Sequence, residues 1–523
     1  MKKLLFILFL FAVASISGPS AHAQGQGMQA EARETMLKAT KFMVENVSNN
    51  GGYVSQYLPD LSRRWGELEA FESMVWIEGT GTVRMGELLL EAYQATGDEY
   101  YYEAAKKAAR ALAWGQHETG GWHYFIDFAG EGSVKKWYET IGKNAWGFEE
   151  HNHYYGNATF DGGNTAKAAQ FLLRLYLEKL EPEIKVTLDK AIGFILESQY
   201  PLGGWPQRYP LKYDFPHGNL EDYTSFYTFN DNVISENINF LIQCYLTLGG
   251  RDFLDPIRRA MNFYIISQHA TPQAGWSKQH NMALQPAHAR TYEPAAIYPD
   301  FTYENAKLLL RFYELTGDRK FLARVPDAIS FLESVAQKNP EGKTVYPIFV
   351  EIGTNKPLYA HREGTNVRNG RYWLDYNPEN QIQHYKGRNF DLNFLRKEYE
   401  RLNSLSPAEA SKNSPLKDAK LIRNGADLKA DYLKRFGESE TRVTEEAVKK
   451  IFASLDDQGR WLIKHPTYSL PYSIDENGMP SNTARRSDEL GVSIPDPSEQ
   501  EYISTGTYIR NMEQLIQFIS AKP

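Results

Sequence analysis

The chain has 523 residues, with 58 Lys plus Arg set against 65 Asp plus Glu and a formal net charge of −7. That balance leaves no basic field for nucleic acid, so a polyanionic ligand would need a local cationic cleft. The single cysteine, Cys244, excludes an intrachain disulfide and reads as a small buried hydrophobe in a helical pattern.

The first 23 residues read as a secretory signal peptide. Lys2 and Lys3 give the positive start, Leu4 to Ile16 the apolar run, and Ala21-His22-Ala23 the small-residue cleavage site before Gln24. No stretch reaches the roughly 18 uninterrupted apolar residues of a membrane helix. The mature protein is expected to be exported, to the periplasm or outside the cell, without membrane insertion.

Beyond the signal the chain repeats itself. GELLLEAYQATGDEYYYEAAKKAARALAW (86–114) is a helix, a Thr-Gly-Asp turn and a second helix. The same grammar returns at 168–196, 238–265 and 306–332, with Tyr93, Tyr176, Tyr245 and Tyr313 before the successive turns. Apolar residues step at helical spacing, as in Ile234, Ile238, Leu241 and Tyr245. After each second helix comes a glycine turn bearing an aromatic: Gly121-Trp122, Gly204-Trp205 and Gly275-Trp276. Such units cannot bury their apolar faces alone and must stack on one another. The segments 77–93 and 503–519 resemble each other, which points to a ring whose two ends meet. The expected fold is mainly α, an α/α toroid of about five to six helical hairpins with long loops and a few short strands. It divides into the signal (1–23), the toroid (24–400) and a polar excursion followed by C-terminal helices that close the ring (401–523). A small separate C-terminal domain is the alternative.

The stretch from Gly203 to Val233 is where function is expected, because long irregular loops in compact domains tend to carry it. Trp205, Arg208, Tyr209 and Asp231 offer an apolar face, a cation and an anion together, the ingredients for holding a charged sugar. Trp276 in its turn is a further candidate platform for a sugar ring.

Each inner helix begins near an acid: Glu78, Asp161, Asp231 and Asp300. Helix capping explains such acids one at a time. Taken together, helix starts in a toroid converge at one end, so the carboxylates could meet there. Converging carboxylates repel unless a cation lies between them, and oxygen ligands suit Ca²⁺. No thiolate pair or HExxH helix is present, which disfavours zinc, and His151, His153 and His280 show no ligand spacing. The loops also carry arginines, the group suited to bidentate recognition of carboxylates: Arg208, Arg290, Arg362, Arg368 and Arg371.

ATFDGGNTAKAAQFLLRLY (158–176), GGWPQRYP (203–210) with YTFNDN (227–232), ARTYEPA (289–295) and EIGTNKPLYAHREG (351–364) are similar to successive segments of the pectate lyases of polysaccharide lyase family ten. The likeness covers roughly 150–390. It implies Ca²⁺-assisted β-elimination on polygalacturonate, an acidic polysaccharide. By resemblance, Asp161 and Asp231 are the calcium-binding acids, Arg290 the catalytic base, and Arg362 and Arg368 the arginines for the substrate carboxylate. Two departures stand out. Asp161 is followed by Gly162-Gly163-Asn164 where the family usually has Asn-Gly-Ala. Tyr346-Pro347-Ile348-Phe349 replaces an aromatic-Arg-aromatic stretch. The rival expectations are a glycoside hydrolase of α/α toroid class, using Asp161 and Asp231 as its carboxylate pair, and a non-catalytic glycan-binding protein.

Overall fold

Apolar residues three and four apart give every repeat a stripe that only another helix can cover, and the structure shows which helices cover which. It is a computed structural model. It describes residues 21–521 apart from 145–148, 212–214, 216–219, 366–367, 382–386, 418–420, 434–442 and most of 465–500. The signal expected over 1–23 therefore falls almost wholly outside the described residues.

Helix α1 (Ala21–Phe42) leads into the first hairpin, α2 (Thr82–Thr96) and α3 (Glu99–Gly115). A short α4 (Glu131–Thr140) precedes the pairs α5 (Asn164–Lys179) and α6 (Pro182–Glu197), α7 (Val233–Thr247) and α8 (Leu254–Ile266), and α9 (Pro299–Thr316) and α10 (Val325–Val335). Then come α11 (Leu392–Asn403), the single-turn α12 (Pro407–Ala410), α13 (Glu445–Ser454) and α14 (Thr505–Ser520). In each hairpin the two helices pack on each other, and α14, α2, α5 and α7 follow one another as inner neighbours. Those inner helices bury residues around most of their circumference; α7 hides Asn237, Asn239 and Gln243 along with its apolar residues. This is the α/α toroid. The strands are short, mostly two to four residues, and lie in the loops at the helix starts.

The two ends of the sequence come together. Strand Glu501–Ser504 pairs antiparallel with Gln56–Tyr57, and α14 then packs on both α1 and α2. The polar stretch 403–440, expected as an excursion or linker, is docked where it is described. It crosses the far ends of the inner helices: Ser414 Oγ donates to the carbonyl of Leu315 (2.5 Å) and Ile422 N to that of Leu246 (2.8 Å). Further along, Asn239 bonds both Ala430 and Tyr432, and the Arg311 guanidinium reaches the Tyr432 carbonyl. Its polar residues meet backbone that the helix ends leave unsatisfied.

The glycine–tryptophan turns correct one expectation. Trp205 and Trp276 are fully buried, so neither ring is available to stack on a sugar. Each indole donates instead to a carbonyl of the preceding outer helix: Trp122 to Leu112, Trp205 to Ile195, Trp276 to Tyr264, and Trp461 to Ile451, at 2.8 to 3.1 Å. The chain turns back so tightly at Gly203 (φ 108°) that a Cβ there would strike the carbonyl of Arg259 on the next outer helix. The Trp turn is thus the hinge pin of the repeat, locking one hairpin to the next.

Candidate active site

The turns that start α5 and α7 are built alike, one 3-10 turn each: Asp161–Gly163 and Asn230–Asn232. Gly162 and Gly163 have φ of 60° and 75°, and their counterparts Asp231 and Asn232 have 51° and 59°. Asp231 thus stands in the position of Gly162, not of Asp161, and the two acids come from adjacent steps of equivalent turns. That offset leans them toward one another, close enough for a side-chain hydrogen bond. Neither carboxylate caps its helix, so the capping explanation does not hold for them. The glycines have their own reason. A Cβ on Gly162 would collide with Glu78 Oε2, so the Gly-Gly step makes room for a third carboxylate.

Asp161 is buried, takes a 2.6 Å hydrogen bond from the Tyr124 hydroxyl on Oδ2, and has no donor at all on Oδ1. Burial works to raise its pKa, but Asp231, Arg290 and Tyr124 outweigh it and hold Asp161 at about 2. The neighbouring acids go the other way. Burial and then the Asp161 charge push Asp231 well above the usual carboxylate range; burial and then Glu67 do the same to Glu78. Asp231 keeps part of its surface in solvent, so the adjacent Asp161 charge, more than burial, is what raises it. Three carboxyls crowd here, and each opposes the charge of the next. The fourth acid, Asp300, lies to the side near Lys278 and Arg388.

Arg290 faces this group. Its Nη2 is 3.7 Å from Asp161 Oδ2, Nε is 2.7 Å from Glu150 Oε2, and Nη1 is 3.3 Å from Glu293 Oε2. Lys278 ties Glu293 from its other oxygen at 2.5 Å, and Glu149 accepts from the Thr291 amide at 2.9 Å. Burial opposes the charge on Arg290, yet Glu150 and its other neighbours raise its pKa well above the ordinary value. Asp161, Asp231 and Arg290, far apart in the chain, therefore come together at one end of the inner helices.

Arg208 is placed otherwise than expected. It is fully buried, sandwiched with its guanidinium 4.3 Å from the Tyr155 ring centre and 5.0 Å from that of Tyr124, and it donates to the Glu150 carbonyl at 3.0 Å. It braces the turn that presents Glu149 and Glu150, and its burial keeps the guanidinium out of reach of a substrate. Tyr209 is half-buried with its ring against Phe194. Arg362 and Arg368 lie on the long hairpin Pro357–Thr365/Arg368–Asp375, where Arg362 pairs with Tyr372; their side chains, and that of Arg371, fall outside the described residues. The hairpin reaches the site through Tyr372, whose ring packs 4.7 Å from that of Tyr292, two residues past Arg290.

Reading the sequence missed Glu149, Glu150 and Glu293. The signal was present as two adjacent acids beside His151 in a loop rich in aromatics, but nothing in the local pattern ties them to a residue 140 positions away. Donor atoms of Glu67, Glu150 and His151 also lie within 4.8 Å of one another, a group able to hold an ion. Glu150 there is already engaged with Arg290, and His151 Nε2 sits 3.2 Å from Glu67.

A helical toroid with carboxylates gathered around a guanidinium at the mouth of its inner helices is the class that this geometry defines. Residues 129–300, about a third of the chain, match the family model described as pectic acid lyase. That segment contains Asp161, Asp231 and Arg290, and over it the chain resembles glycan-processing enzymes of the polysaccharide lyase type. No curated protein matches the sequence. Among solved structures, a family 10 polysaccharide lyase from Cellvibrio cellulosa, a mutant in complex with a trigalacturonic acid, is 18% identical. The match covers 52% of this chain and 85% of that one, with a TM-score of 0.34. Cellobiose 2-epimerase from Bacillus thermoamylovorans is 13% identical over 94% of this chain and 99% of its own, TM-score 0.42. An α-1,6-mannanase from a Salegentibacter species is 12% identical over 94% and 98%, TM-score 0.35. These likenesses are distant, and the fold stands on the helix packing described above.

Proposed function

We propose that the protein cleaves a uronate-containing glycan of the pectate kind by β-elimination, leaving an unsaturated uronate end. The observation that carries this reading is the convergence of Asp161, Asp231 and Arg290 at one end of the inner helices, within the segment that matches the pectic acid lyase model.

The donor set suits a hard cation. Asp161 Oδ1 is buried with no donor, and Asp231 beside it is raised by burial and by the Asp161 charge. A Ca²⁺ between them would satisfy both. Asp161 and Asp231 would hold it, and when bound it supplies positive charge to the substrate carboxylate, stabilising the enolate-like charge formed as C5 loses its proton. Arg290 is the base in this proposal. As a guanidinium it has no lone pair to offer, so it must first pass a proton to Glu150, against the surrounding acids that favour its charged form. That carboxyl is 2.7 Å from Nε and is pushed up by burial against the pull of Arg290. Arg290 then takes the C5 proton, the C5–H electron pair becomes the C4=C5 double bond, and the C4–oxygen bond breaks with its pair on the leaving oxygen, which takes a proton from water. Arg362 and Arg368 are proposed to orient the substrate carboxylate.

Hydrolysis with the same two acids fits the geometry less well. Paired carboxylates of glycosidases stand roughly 5–5.5 Å or 6.5–9.5 Å apart, whereas Asp161 and Asp231 are near enough to share a hydrogen bond. The test is the mature protein on polygalacturonate with Ca²⁺, followed by ultraviolet absorbance of the new double bond. New reducing ends without unsaturation would establish the hydrolase, and binding without turnover the glycan-binding protein. Export is part of the proposal, and the secreted form is expected to begin at Gln24.

A further inference from the structure

Glu78 lies outside the segment that matches the lyase model, yet it ends among that segment's acids. It follows the strand Met74–Trp76, which pairs antiparallel with Phe125–Asp127. The Ile77 amide donates to the Tyr124 carbonyl at 2.9 Å, so the two loops form one brace. The brace has two ends. The Tyr124 hydroxyl holds Asp161 Oδ2 at 2.6 Å, and the Glu78 carboxyl stands against the next residue, Gly162.

That carboxyl is held in place. The buried Trp76 indole donates to Oε1 at 3.3 Å, and Asn164 Nδ2 reaches Oε2 at 3.5 Å. A Cβ on Gly162 would collide with Oε2. Position 162 is also where the sequence departs from the lyase family, which usually has asparagine after the first acid. The space where that side chain would begin is taken here by a carboxyl from a different hairpin. One oxygen-bearing group replaces another at the same point beside Asp161.

A carboxylate set against two others repels them, and a divalent cation between them turns that repulsion into attraction. Ca²⁺ takes roughly six to eight oxygens, more than Asp161 and Asp231 supply. We propose that Glu78 is a third protein ligand for Ca²⁺, and that with it the protein holds the ion before substrate arrives. A site of two aspartates would depend on the substrate uronate to complete it. This rests on the lyase reading and deepens its metal site.

The test is calorimetry of Ca²⁺ binding to the mature protein, first alone and then with digalacturonate. The wild type is compared with Glu78→Gln, Glu78→Asp and Glu67→Gln, whose folding is checked by melting curves without Ca²⁺. Glu67 is an exposed acid that acts on Glu78 by its charge, so Glu67→Gln reads the effect of charge alone. The wild type is expected to bind one Ca²⁺ without any uronate. Glu78→Gln should weaken that binding roughly ten- to a hundredfold, the effect of one charged ligand. Glu67→Gln should weaken it by about threefold or less, since an exposed charge is screened. Glu78→Asp keeps the charge but draws its oxygens back, and should lose more affinity than Glu67→Gln. A wild type that takes Ca²⁺ only once digalacturonate is present overturns this inference and leaves the lyase reading standing. So does a loss in the folded Glu78 variants no larger than in Glu67→Gln. No Ca²⁺ bound under either condition removes the cation from the lyase reading and this inference with it.

Discussion

Arg290 Nε lies 2.7 Å from Glu150 Oε2, a buried ion pair joining the loop after α4 to the loop before α9. In the proposed reaction Glu150 is the outlet for the guanidinium proton. Glu150→Gln keeps the shape and a hydrogen bond but cannot take that proton. It is expected to lower kcat by roughly 10²–10⁴, the usual contribution of a general acid or base, with KM little changed. If Glu150 only clamps the guanidinium in its charged form, the same substitution raises the rate at neutral pH. The sign of the change in kcat separates the two.

The crowded carboxyls make stability depend on pH in two opposite ways. The folded pKa of Asp161 is depressed to about 2 from a reference of 3.8, so its contribution is complete above about 4 and is lost as pH falls toward 2. Asp231 and Glu78 are raised, so their contribution is present below their reference values of 3.8 and 4.5 and is lost as pH rises through their elevated folded values. A cation bound between Asp161 and Asp231 replaces the proton. Ca²⁺ should therefore raise Tm more at pH 8 than at pH 5, and Asp231→Asn should remove most of that difference. Equal Ca²⁺ shifts at both pH values would contradict the assignment of these acids as ligands.

Trp205 is predicted to matter for folding alone. Trp205→Ala should cost about 3–5 kcal/mol, the range for emptying a large aromatic site. Trp205→Phe should cost about 1–2 kcal/mol for the lost bond to the Ile195 carbonyl. Denaturant titration reads both. Substrate affinity of the folded Phe variant should match the wild type, which a ring acting as a sugar platform would not allow.

Gly162 answers to Glu78. Gly162→Ala introduces a Cβ into Glu78 Oε2 at a positive φ, and is expected to destabilise by about 1–3 kcal/mol and to weaken Ca²⁺ binding. Combining it with Glu78→Ala removes the collision and should recover part of the stability. The recovery, measured as a double-mutant cycle, tests whether the two positions are coupled.

Much of this was legible in the chain itself. Helical spacing, the four turn-separated hairpins and the likeness between 77–93 and 503–519 are local patterns, and local patterns dictated the toroid. Likewise an acid before an inner helix is visible one repeat at a time, and repetition alone brought Asp161 and Asp231 to the same end. The tryptophans were misjudged because an aromatic in a glycine turn looks the same whether its indole faces water or a helix carbonyl; only packing against Ile195 or Tyr264 decides it. Arg208 was misplaced for the same reason: the stretch PQRYP carries no trace of the tyrosines from other loops that enclose it. What tertiary structure alone decided is who neutralises whom. Glu150 meets Arg290 across 140 residues, and Glu78 fills the space left by Gly162. Charge pairing acts through distance in space, and the sequence records only distance along the chain.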